Sequence, residues 1–279
     1  LMSGTPKDPP PFPTPEPDAA GIPAAIRDTV LIAPFNDAET ATGIITDHKD
    51  ELAAVIVEPF QRALPPAPGF LAALRDTCKR HGIVLIFDEV VTGFRLAWGG
   101  AQERYGVTPD MAAYGKIIAG GYAGGAIAGP ASIMSLADPA AGRKGVAMLG
   151  TLSGNPVSAA AGLATLNVLR RERATIYPRL YQYGERLAKG LVDAFARRRV
   201  TVQSSGEGPV FQIFAQKEPI RDYRDTLHAD AARWRDFCRA MTRHGVWMNG
   251  GKVYCAAVHT EDDMRVTLDT AERALDDMA

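Results

Sequence analysis

The chain has 279 residues, of which 46% are hydrophobic and 23% charged, a composition typical of globular proteins with a buried core. The 31 basic and 32 acidic residues are interspersed and give a formal net charge of −1, so no surface for nucleic acid or for a membrane is predicted. Three cysteines without a close pair argue against a disulfide framework or a zinc site and favour a reducing, cytoplasmic location.

Residues 1–23 are rich in proline and are predicted to form a loop, because repeated prolines exclude both a helix and a central strand. This start has no basic region followed by an apolar one, so we expect no signal peptide. No stretch of the chain is long and apolar enough to predict a membrane span. Two interpretations of the loop are open: a disordered tail, or a connection whose preceding part is absent from the chain.

The segment that follows alternates strands and helices. The predicted elements are a strand at 29–37, a helix at 38–52, a strand at 53–59, a helix at 69–82 and strands at 83–90 and 109–115. In the second helix Phe70, Leu74 and Cys78 share one face, and Gly82 marks the end. The strand at 83–90 begins with a run of apolar residues and is predicted to be buried on both faces. Short connections between strand, helix and strand predict parallel pairing, so the fold class is α/β.

Three ionisable side chains follow the carboxyl ends of predicted strands. Glu58 and Asp88 each end a strand, and Lys116 lies two residues after Tyr114 at the end of the next one. In open parallel sheets, ligands bind beyond the carboxyl ends of the strands. A carboxylate at the end of an apolar strand is costly to bury unless a cation or a hydrogen bond meets it, so Asp88 needs a partner. An ion pair or a cap on the next turn would suffice for an isolated aspartate, but a lysine at the same edge favours a cofactor site.

The chemistry that requires this pair is that of pyridoxal 5'-phosphate (PLP). A lysine amine forms a Schiff base with the cofactor, and an aspartate keeps the ring nitrogen protonated so that the ring can accept electrons. Lys116 heads the stretch YGKIIAGGYAGGAIAG, whose small residues let the backbone approach a flat ring. The alternative is that Lys116 simply ends a strand with its ammonium in water, as most lysines do.

A candidate phosphate site precedes a helix predicted at 156–172. Thr151 and Ser153 lie just ahead of that helix, and hydroxyls and free amides at a helix start bind anions. The same pattern is also an ordinary helix start. A P-loop around Lys116 is excluded, because no serine or threonine follows the lysine and Asp110 stands where such a loop has a glycine.

A second domain is predicted from about residue 168. Its elements are a helix at 177–199, strands at 201–205 and 209–216, a helix at 234–244, strands at 245–249 and 252–258, and a final helix after residue 260. Trp247 and the helical stripe are predicted to be core, and the stripe consists of Leu180, Leu187, Leu191 and Phe195. We therefore divide the chain into a proline-rich loop (1–23), a partial large domain (24–167) and a small domain (168–279).

Four consecutive blocks of the sequence resemble the signature blocks of class III PLP-dependent aminotransferases: VEPFQ, LIFDEVVTGFR, TPDMAAYGKIIAGGYAGGAIAG and GTLSGNPVSAAAGL. The resemblance runs from about residue 20 to the end. The segments TGFR, GTLSGNP and VHTEDDMRVTLDTAERAL are most similar to the glutamate-1-semialdehyde aminomutase-like branch. This resemblance implies fold type I, with part of a mainly parallel-sheet large domain and a smaller α+β C-terminal domain.

The resemblance also implies roles for single residues in binding PLP. Lys116 would be the Schiff-base lysine and proton shuttle, and Asp88 the partner of the ring nitrogen. Val90 would lie against one face of the ring, and Gln61 would hydrogen-bond the ring hydroxyl oxygen.

The family pattern further implies a homodimer with its sites at the interface. Thr151 would reach the phosphate of the cofactor held by the neighbouring subunit. Glu58 would orient a group beside the cofactor, or else simply end its strand with a charge.

Two features depart from the family pattern. The family has roughly another domain's worth of sequence ahead of this region, including a turn that holds the phosphate and an aromatic that stacks on the ring. The SGT at residues 3–5 does not match that turn, so we expect the chain to be the C-terminal part of the usual enzyme or one half of a split one. Aminomutases have a segment similar to SQFEAGF, with an acidic residue, ahead of the HT block. This chain has GVWMNGGKVYCAAVHT there, without an acidic residue, which favours ordinary transamination.

We therefore predict a PLP-dependent aminotransferase that moves an amino group between an amine or amino acid and a carbonyl acceptor. Lys116 would remove the α proton as a base tuned by burial and return it at the former aldehyde carbon. Two alternatives are a glutamate-1-semialdehyde 2,1-aminomutase and a non-catalytic chain that folds only with its N-terminal half. Small molecules, not nucleic acids or membranes, are the expected partners.

Overall fold

The computed structural model describes residues 9–17 and 19–278, and within them the chain forms two β-sheets. The strands are β1 (Ala54–Val57), β2 (Val84–Glu89), β3 (Met111–Tyr114), β4 (Ala126–Ala128), β5 (Gln203–Glu207), β6 (Val210–Phe214) and β7 (Val253–Tyr254). The α-helices are α1 (Ala24–Arg27), α2 (Ala38–Asp47), α3 (Phe70–His81), α4 (Gly100–Tyr105), α5 (Ala131–Met134), α6 (Pro156–Arg171), α7 (Arg173–Arg197), α8 (Ala231–Arg243) and α9 (Glu261–Asp276). Short 3₁₀-helices lie at Lys116–Ala119, Ser135–Ala137, Pro139–Lys144 and Asp225–His228.

The first sheet has the strand order β1-β2-β3-β4. Strands β1, β2 and β3 run parallel, as predicted, with Val57 opposite Phe87 and Glu89 opposite Tyr114. Strand β4 returns antiparallel beside β3. The sequence does not predict β4, because three residues, two of them alanine, carry no recognisable strand pattern. The carboxyl ends of the three parallel strands lie side by side.

Helices α2 and α3 cover one face of this sheet. Leu85 and Phe87 of β2 are buried there against Leu74 of α3. On the opposite face Ile86 is only half-buried, and Ile56 of β1 is 67% exposed. The prediction that β2 is buried on both faces is therefore wrong within the described chain, because α2 and α3 pack on only one face of the sheet.

The predicted strand at 29–37 does not form. The backbone of Ile32 donates to Pro13 in the proline-rich segment instead of to a neighbouring strand, with N···O 3.0 Å. Asn36 then turns the chain in the left-handed region, at φ 67°. Its side-chain amide donates to the carbonyl of Arg221 at 2.8 Å, so this segment connects distant loops rather than extending a sheet.

Helices α2 and α3 begin and end for local reasons. The carboxylate of Asp37 accepts from the backbone of Thr40 at 3.0 Å and caps α2. This helix stops at Asp47, earlier than the predicted 38–52, because the polar residues after Ile45 give the next turn nothing to bury. Helix α3 ends as predicted at Gly82, which takes the left-handed conformation at φ 70°.

The second sheet is antiparallel, with the order β5-β6-β7. Helices α7, α8 and α9 pack against it in one core. The predicted stripe on α7 is buried in that core: Leu180, Leu187, Leu191 and Phe195. Helix α7 begins at Arg173, ahead of the predicted 177, and continues through Pro178.

The prediction for the end of the small domain is wrong in two places. No strand forms at 245–249, and Trp247, predicted to be core, is 76% exposed. The strand predicted at 252–258 is reduced to the two residues of β7. Without a paired strand on this segment, Trp247 has no surface of the described chain to pack on.

We propose the domain boundary near residue 168, since the first sheet uses residues 54–128 and the second uses 203–254. In the proline-rich loop, residues 9–17 and 19–23 contain no helix or strand, whereas the SGT at 3–5 lies outside the described residues. Among the helices of the described ranges, none combines the length and the apolar character that a membrane crossing requires.

Candidate active site

Three predicted site residues lie at one edge of the first sheet. Because Val57 is opposite Phe87, Glu58 follows β1 at the level where Asp88 lies in β2. Asp88 is in turn opposite Ala113 of β3, and Lys116 follows that strand. The parallel register thus brings Glu58, Asp88 and Lys116 to the same carboxyl edge, as predicted.

The backbone of Lys116 has an uncommon conformation. Its φ of 52° lies in the left-handed region, which a residue with a side chain adopts only when the surroundings hold it there. The lysine is exposed and starts a 3₁₀-helix. Gly115 ahead of it packs against Val90, since a Cβ at Gly115 would lie 3.2 Å from Val90 Cγ1. The structure therefore places Val90 beside the backbone that carries Lys116.

Asp88 is half-buried and has unused hydrogen-bonding capacity. Its Oδ1 accepts from the backbone amide of Val90 at 3.0 Å, which is the cap on the next turn that the sequence allows. In the described part of the chain no cation forms an ion pair with this carboxylate. The second oxygen is therefore available to an outside donor.

Gln61 and Glu58 occupy the turn after β1. The Oε1 of Gln61 is buried and has no hydrogen-bond partner among the described residues. A buried polar atom without a partner is costly, so a missing donor or water is expected there. Glu58 Oε2 accepts from the backbone of Arg62 at 3.3 Å. This hydrogen bond thus stabilises the turn in which Gln61 lies.

Strand β7 of the second sheet adds a residue to this edge that the sequence analysis misses. Lys252 precedes β7 and is half-buried. Burial lowers the pKa of Lys252, the charge of Glu58 opposes that shift, and the cations Arg62 and Lys116 add to it. The charges that act on Lys252 thus include two residues of the candidate site, Glu58 and Lys116. No local pattern could predict this, because the second sheet meets the turns after β1 and β2 through a shared cluster that contains Phe60, Leu96 and Val210.

Arg95 connects the turn after β2 in the first sheet with the end of β7 in the second. Its Nη1 donates to the carbonyl of Cys255 at 2.8 Å, and its guanidinium lies 6.0 Å from the centre of the Tyr254 ring. Burial lowers the pKa of this arginine, and nearby Cys255, Tyr254 and Tyr177 oppose the shift. The hydrogen bond fixes β7 against the turn that follows β2.

Thr151 does not join the other five predicted residues within this chain. It lies exposed in a turn ahead of α6. The amides at the start of α6 are not free, since Asn155 Oδ1 accepts from Val157 at 3.0 Å and from Ser158 at 3.1 Å. The expectation of an anion site on free amides is therefore wrong, while contact of Thr151 with a neighbouring subunit stays a prediction.

Helix α6 packs directly on the 3₁₀-helix that Lys116 begins. A Cβ at Gly162 would collide with the carbonyl of Ile118, and one at Gly120 with the carbonyl of Ala161. Only glycine allows this approach of the two backbones. The position of Lys116 is therefore tied to the position of α6.

Large apolar side chains are exposed on the segment that leads into α6. We call residues 146–163 the exposed apolar segment; its exposed members are Val146, Met148, Leu149, Leu152, Val157 and Leu163. Leu149 is 91% exposed. A concentration of such residues is typical of a surface that another chain or domain covers.

Comparison with known proteins gives consistent matches over nearly the whole chain. The family described as Aminotransferase class-III matches residues 14–278. A glutamate-1-semialdehyde 2,1-aminomutase of Methanopyrus kandleri is 41% identical over 266 residues, which cover 93% of this chain and 61% of that protein.

Solved structures show the same relationship. An omega-transaminase from Sphaerobacter thermophilus aligns with a TM-score of 0.88 and 34% identity, over 95% of this chain and 61% of that one. A transaminase with PLP bound aligns with a TM-score of 0.82 and 26% identity, over 93% of this chain and 60% of that one. The fold type I architecture expected from the sequence is confirmed. The chain spans about three fifths of the length of these relatives.

Proposed function

The chain belongs to the class III aminotransferase family, and from this membership we propose that it carries a PLP site that transfers an amino group between an amine or amino acid and a carbonyl acceptor. The observation that carries the proposal is the placement of Asp88 and Lys116 at neighbouring strand ends, with Val90 beside the lysine backbone. The activity is proposed for the whole enzyme, because this chain spans about three fifths of its relatives.

The residues at the sheet edge fit PLP. The buried Oε1 of Gln61 has no partner among the residues that the structure describes and can accept from a ring hydroxyl. The free oxygen of Asp88 can accept from a protonated ring nitrogen, and Val90 offers an apolar surface. Similarity to a transaminase with PLP bound supports the same cofactor here. When bound, PLP supplies an electron sink that stabilises negative charge on the substrate carbon.

Each residue then has one task. Asp88 holds a proton at the ring nitrogen, since a carboxylate stabilises the cationic form of that group. Lys116 would hold the cofactor through its amine, and the same amine would carry a proton to and from the substrate carbon. Glu58 keeps the Gln61 turn in place through its contact with Arg62.

Lys252 favours a substrate that bears a carboxylate. The charges of Arg62 and Lys116 act on it together with that of Glu58, so three cations here face a single carboxylate. A carboxylate that meets such a lysine forms a charge-assisted hydrogen bond. We therefore propose that at least one substrate is an amino acid or an oxo acid.

An aminomutase is the second candidate, favoured by the identity shared with the Methanopyrus kandleri protein. Against it stands the segment 245–260, which contains no acidic residue. The two are separated by supplying glutamate-1-semialdehyde alone. An aminomutase converts it without an added amino acceptor, whereas a transaminase requires one.

We propose that the enzyme acts as a homodimer in which the exposed apolar segment is covered and Thr151 approaches the neighbouring site. The exposure of Leu149 and its neighbours supports a covered surface. The chain by itself is expected to self-associate in sedimentation experiments and to bind PLP weakly. Co-expression with the N-terminal portion typical of the family is expected to give a defined dimer; a monomer at high concentration contradicts the proposal.

The proposed site is tested by reductive trapping. Borohydride added to the complete enzyme, or to this chain co-expressed with the N-terminal portion, should fix PLP on Lys116, as read by peptide mass spectrometry. A Lys252→Gln variant serves as control and should still be labelled at Lys116. Label on Lys79, Lys144 or Lys252 in the parent protein would refute the assignment.

A further inference from the structure

Glu89, the residue after Asp88, is a buried carboxyl group that no step proposed above uses. Its exposed fraction is 0%. Three donors surround it: the amide of Ala101 at 2.7 Å and the hydroxyl of Thr92 at 3.0 Å reach Oε2, and Gln102 Nε2 reaches Oε1 at 2.9 Å. No described cation pairs with this carboxyl group, so hydrogen bonds alone hold it.

The backbone around Glu89 is shaped to receive it. Gly100 has φ 66°, and a Cβ there would collide with Glu89 Oε2. The amide of Gly93 donates to the carbonyl of Glu89 at 2.9 Å, which folds the turn back on the strand. A Cβ at Gly93 would lie 2.6 Å from Cδ1 of Tyr114. The turn after β2, the start of α4 and the ring of Tyr114 therefore converge on Glu89.

The network continues to the strand that carries Lys116. Gln102 Nε2, which donates to Glu89, also lies 2.9 Å from the hydroxyl of Tyr114. Tyr114 is opposite Glu89 in the sheet and two residues ahead of Lys116. The path from Glu89 through Gln102 to Tyr114 thus joins the ends of β2 and β3 by side chains as well as by the sheet.

We propose that Glu89 is a positioning residue which, through Gln102 and Tyr114, fixes Lys116 relative to Asp88. Asp88 is bonded directly to Glu89 in the chain, so the bonds that hold Glu89 also orient the peptide before it. This inference rests on the proposed function for the meaning of the Asp88 and Lys116 pair. It concerns geometry and not charge: the carboxyl group acts as an acceptor for three donors.

Two variants separate geometry from charge. Glu89→Leu leaves three buried donors without an acceptor, and we expect a ten- to hundredfold loss of amino transfer, the range typical of residues that orient catalytic groups. Glu89→Gln keeps an acceptor for Ala101 and Thr92, and the amide of Gln102 can turn to accept from the new one. We expect Glu89→Gln to remain within about threefold of the parent, as the charge itself has no task.

A second measurement avoids dependence on the loaded enzyme. In the protein without PLP, the rate at which an acylating reagent modifies Lys116 is followed against pH by mass spectrometry. Glu89→Leu should displace the midpoint of that profile, because the surroundings of the amine change, and Glu89→Gln should leave it in place. Glu39→Gln changes an exposed glutamate on α2, outside the Glu89 network; it is the matched control and should change neither measurement.

The outcomes divide clearly. A folded Glu89→Leu protein with the parent profile and parent activity overturns the inference, and so does a Glu89→Gln protein as impaired as Glu89→Leu. If Glu89→Leu does not fold, Tyr114→Phe removes only the last hydroxyl of the network and should displace the profile in the same direction; no displacement overturns the inference. Failure to trap PLP on Lys116 in the parent would instead refute the proposed function, while the profile still reports on positioning.

Discussion

The turn after β2 (residues 90–99) and the exposed apolar segment (residues 146–163) differ in how their side chains are satisfied. In the turn Leu96 is 1% exposed, and Glu89 at the end of β2, just ahead of the turn, meets three donors within this chain. In the exposed apolar segment, Leu149 is 91% exposed. The first region is complete without outside contacts, whereas the second presents apolar surface to solvent. The difference indicates that the proposed site and the proposed assembly surface are encoded in separate stretches, and it predicts opposite responses to mutation.

Lys116→Arg should have the largest effect of any single change at the strand ends. A guanidinium stays protonated and cannot form the bond to the cofactor, so amino transfer should fall by at least about a thousandfold. Steady-state transfer to an oxo acid measures the loss. Unfolding should be little changed, because Lys116 is exposed. Transfer within tenfold of the parent would show that another lysine does the chemistry.

Asp88→Asn should follow, with a loss of about a hundredfold or more. A neutral amide does not hold the proton that makes the ring an electron sink, although its oxygen still accepts from Val90. The measurement is the turnover number beside the yield of reductive trapping, which should persist at Lys116. Near-parent turnover would exclude the role of Asp88 and weaken the contrast between the two regions.

The same substitution placed in both regions tests the comparison directly. Leu96→Ala removes a fully buried side chain and should lower the free energy of unfolding by about 2–5 kcal/mol. Leu149→Ala should change it by no more than about 0.5 kcal/mol in the unassembled state, because the side chain is already in solvent. Urea unfolding at low protein concentration gives both values.

Effects on dimerisation should follow the reverse order, with the larger effect from a change in the exposed apolar segment. Leu149→Glu places a charge on the exposed apolar segment and should weaken the dimer in sedimentation equilibrium. Lys189→Glu, an exposed position on α7, is its control and should leave the dimer intact. A Leu149→Glu protein that dimerises as the parent does would remove this segment from the interface.

Among the changes that affect amino transfer, Lys252→Gln should have the smallest effect. Loss of one charge-assisted hydrogen bond should raise KM for a carboxylate-bearing substrate by about tenfold and leave KM for a simple amine unchanged. Since burial lowers the pKa of Lys252, its charge is lost at a lower pH than that of an ordinary lysine. In the parent, KM for the acid should therefore rise as the pH increases, and this rise should vanish in the variant. Equal changes for acid and amine would contradict the role.

The sequence predicts those features of the fold and of the site that local patterns determine. Apolar runs and short connections give the parallel strands, and the rule for strand ends then brings Asp88 and Lys116 together. Features that depend on distant contacts escape this reasoning. Lys252 meets the charges of Glu58 and Lys116 because the second sheet packs on the turns after β1 and β2, and Trp247 is exposed because its segment forms no strand in the described chain.

The Glu89 network shows both sides of this limit. A carboxylate after Asp88 is visible in the sequence, but its donors are supplied by a turn and by a helix whose approach depends on Gly100. Asn155 is a similar case: the sequence suggests free amides at the start of α6, and the structure shows the side chain of Asn155 on them. In both cases a side-chain oxygen accepts hydrogen bonds from backbone amides, and the sequence pattern alone does not identify this pairing.

The close approach of Gly162 to the carbonyl of Ile118 has a mechanical consequence. No side chain lies between the two backbones, so a small displacement of α6 cannot be taken up by a change of side-chain conformation. The same helix carries Leu163 at the surface, facing whatever covers the exposed apolar segment. Helix α6 therefore connects the proposed assembly surface directly to the backbone that follows Lys116. A subunit bound on the outer side of α6 would help to set the position of the proposed catalytic lysine on its inner side.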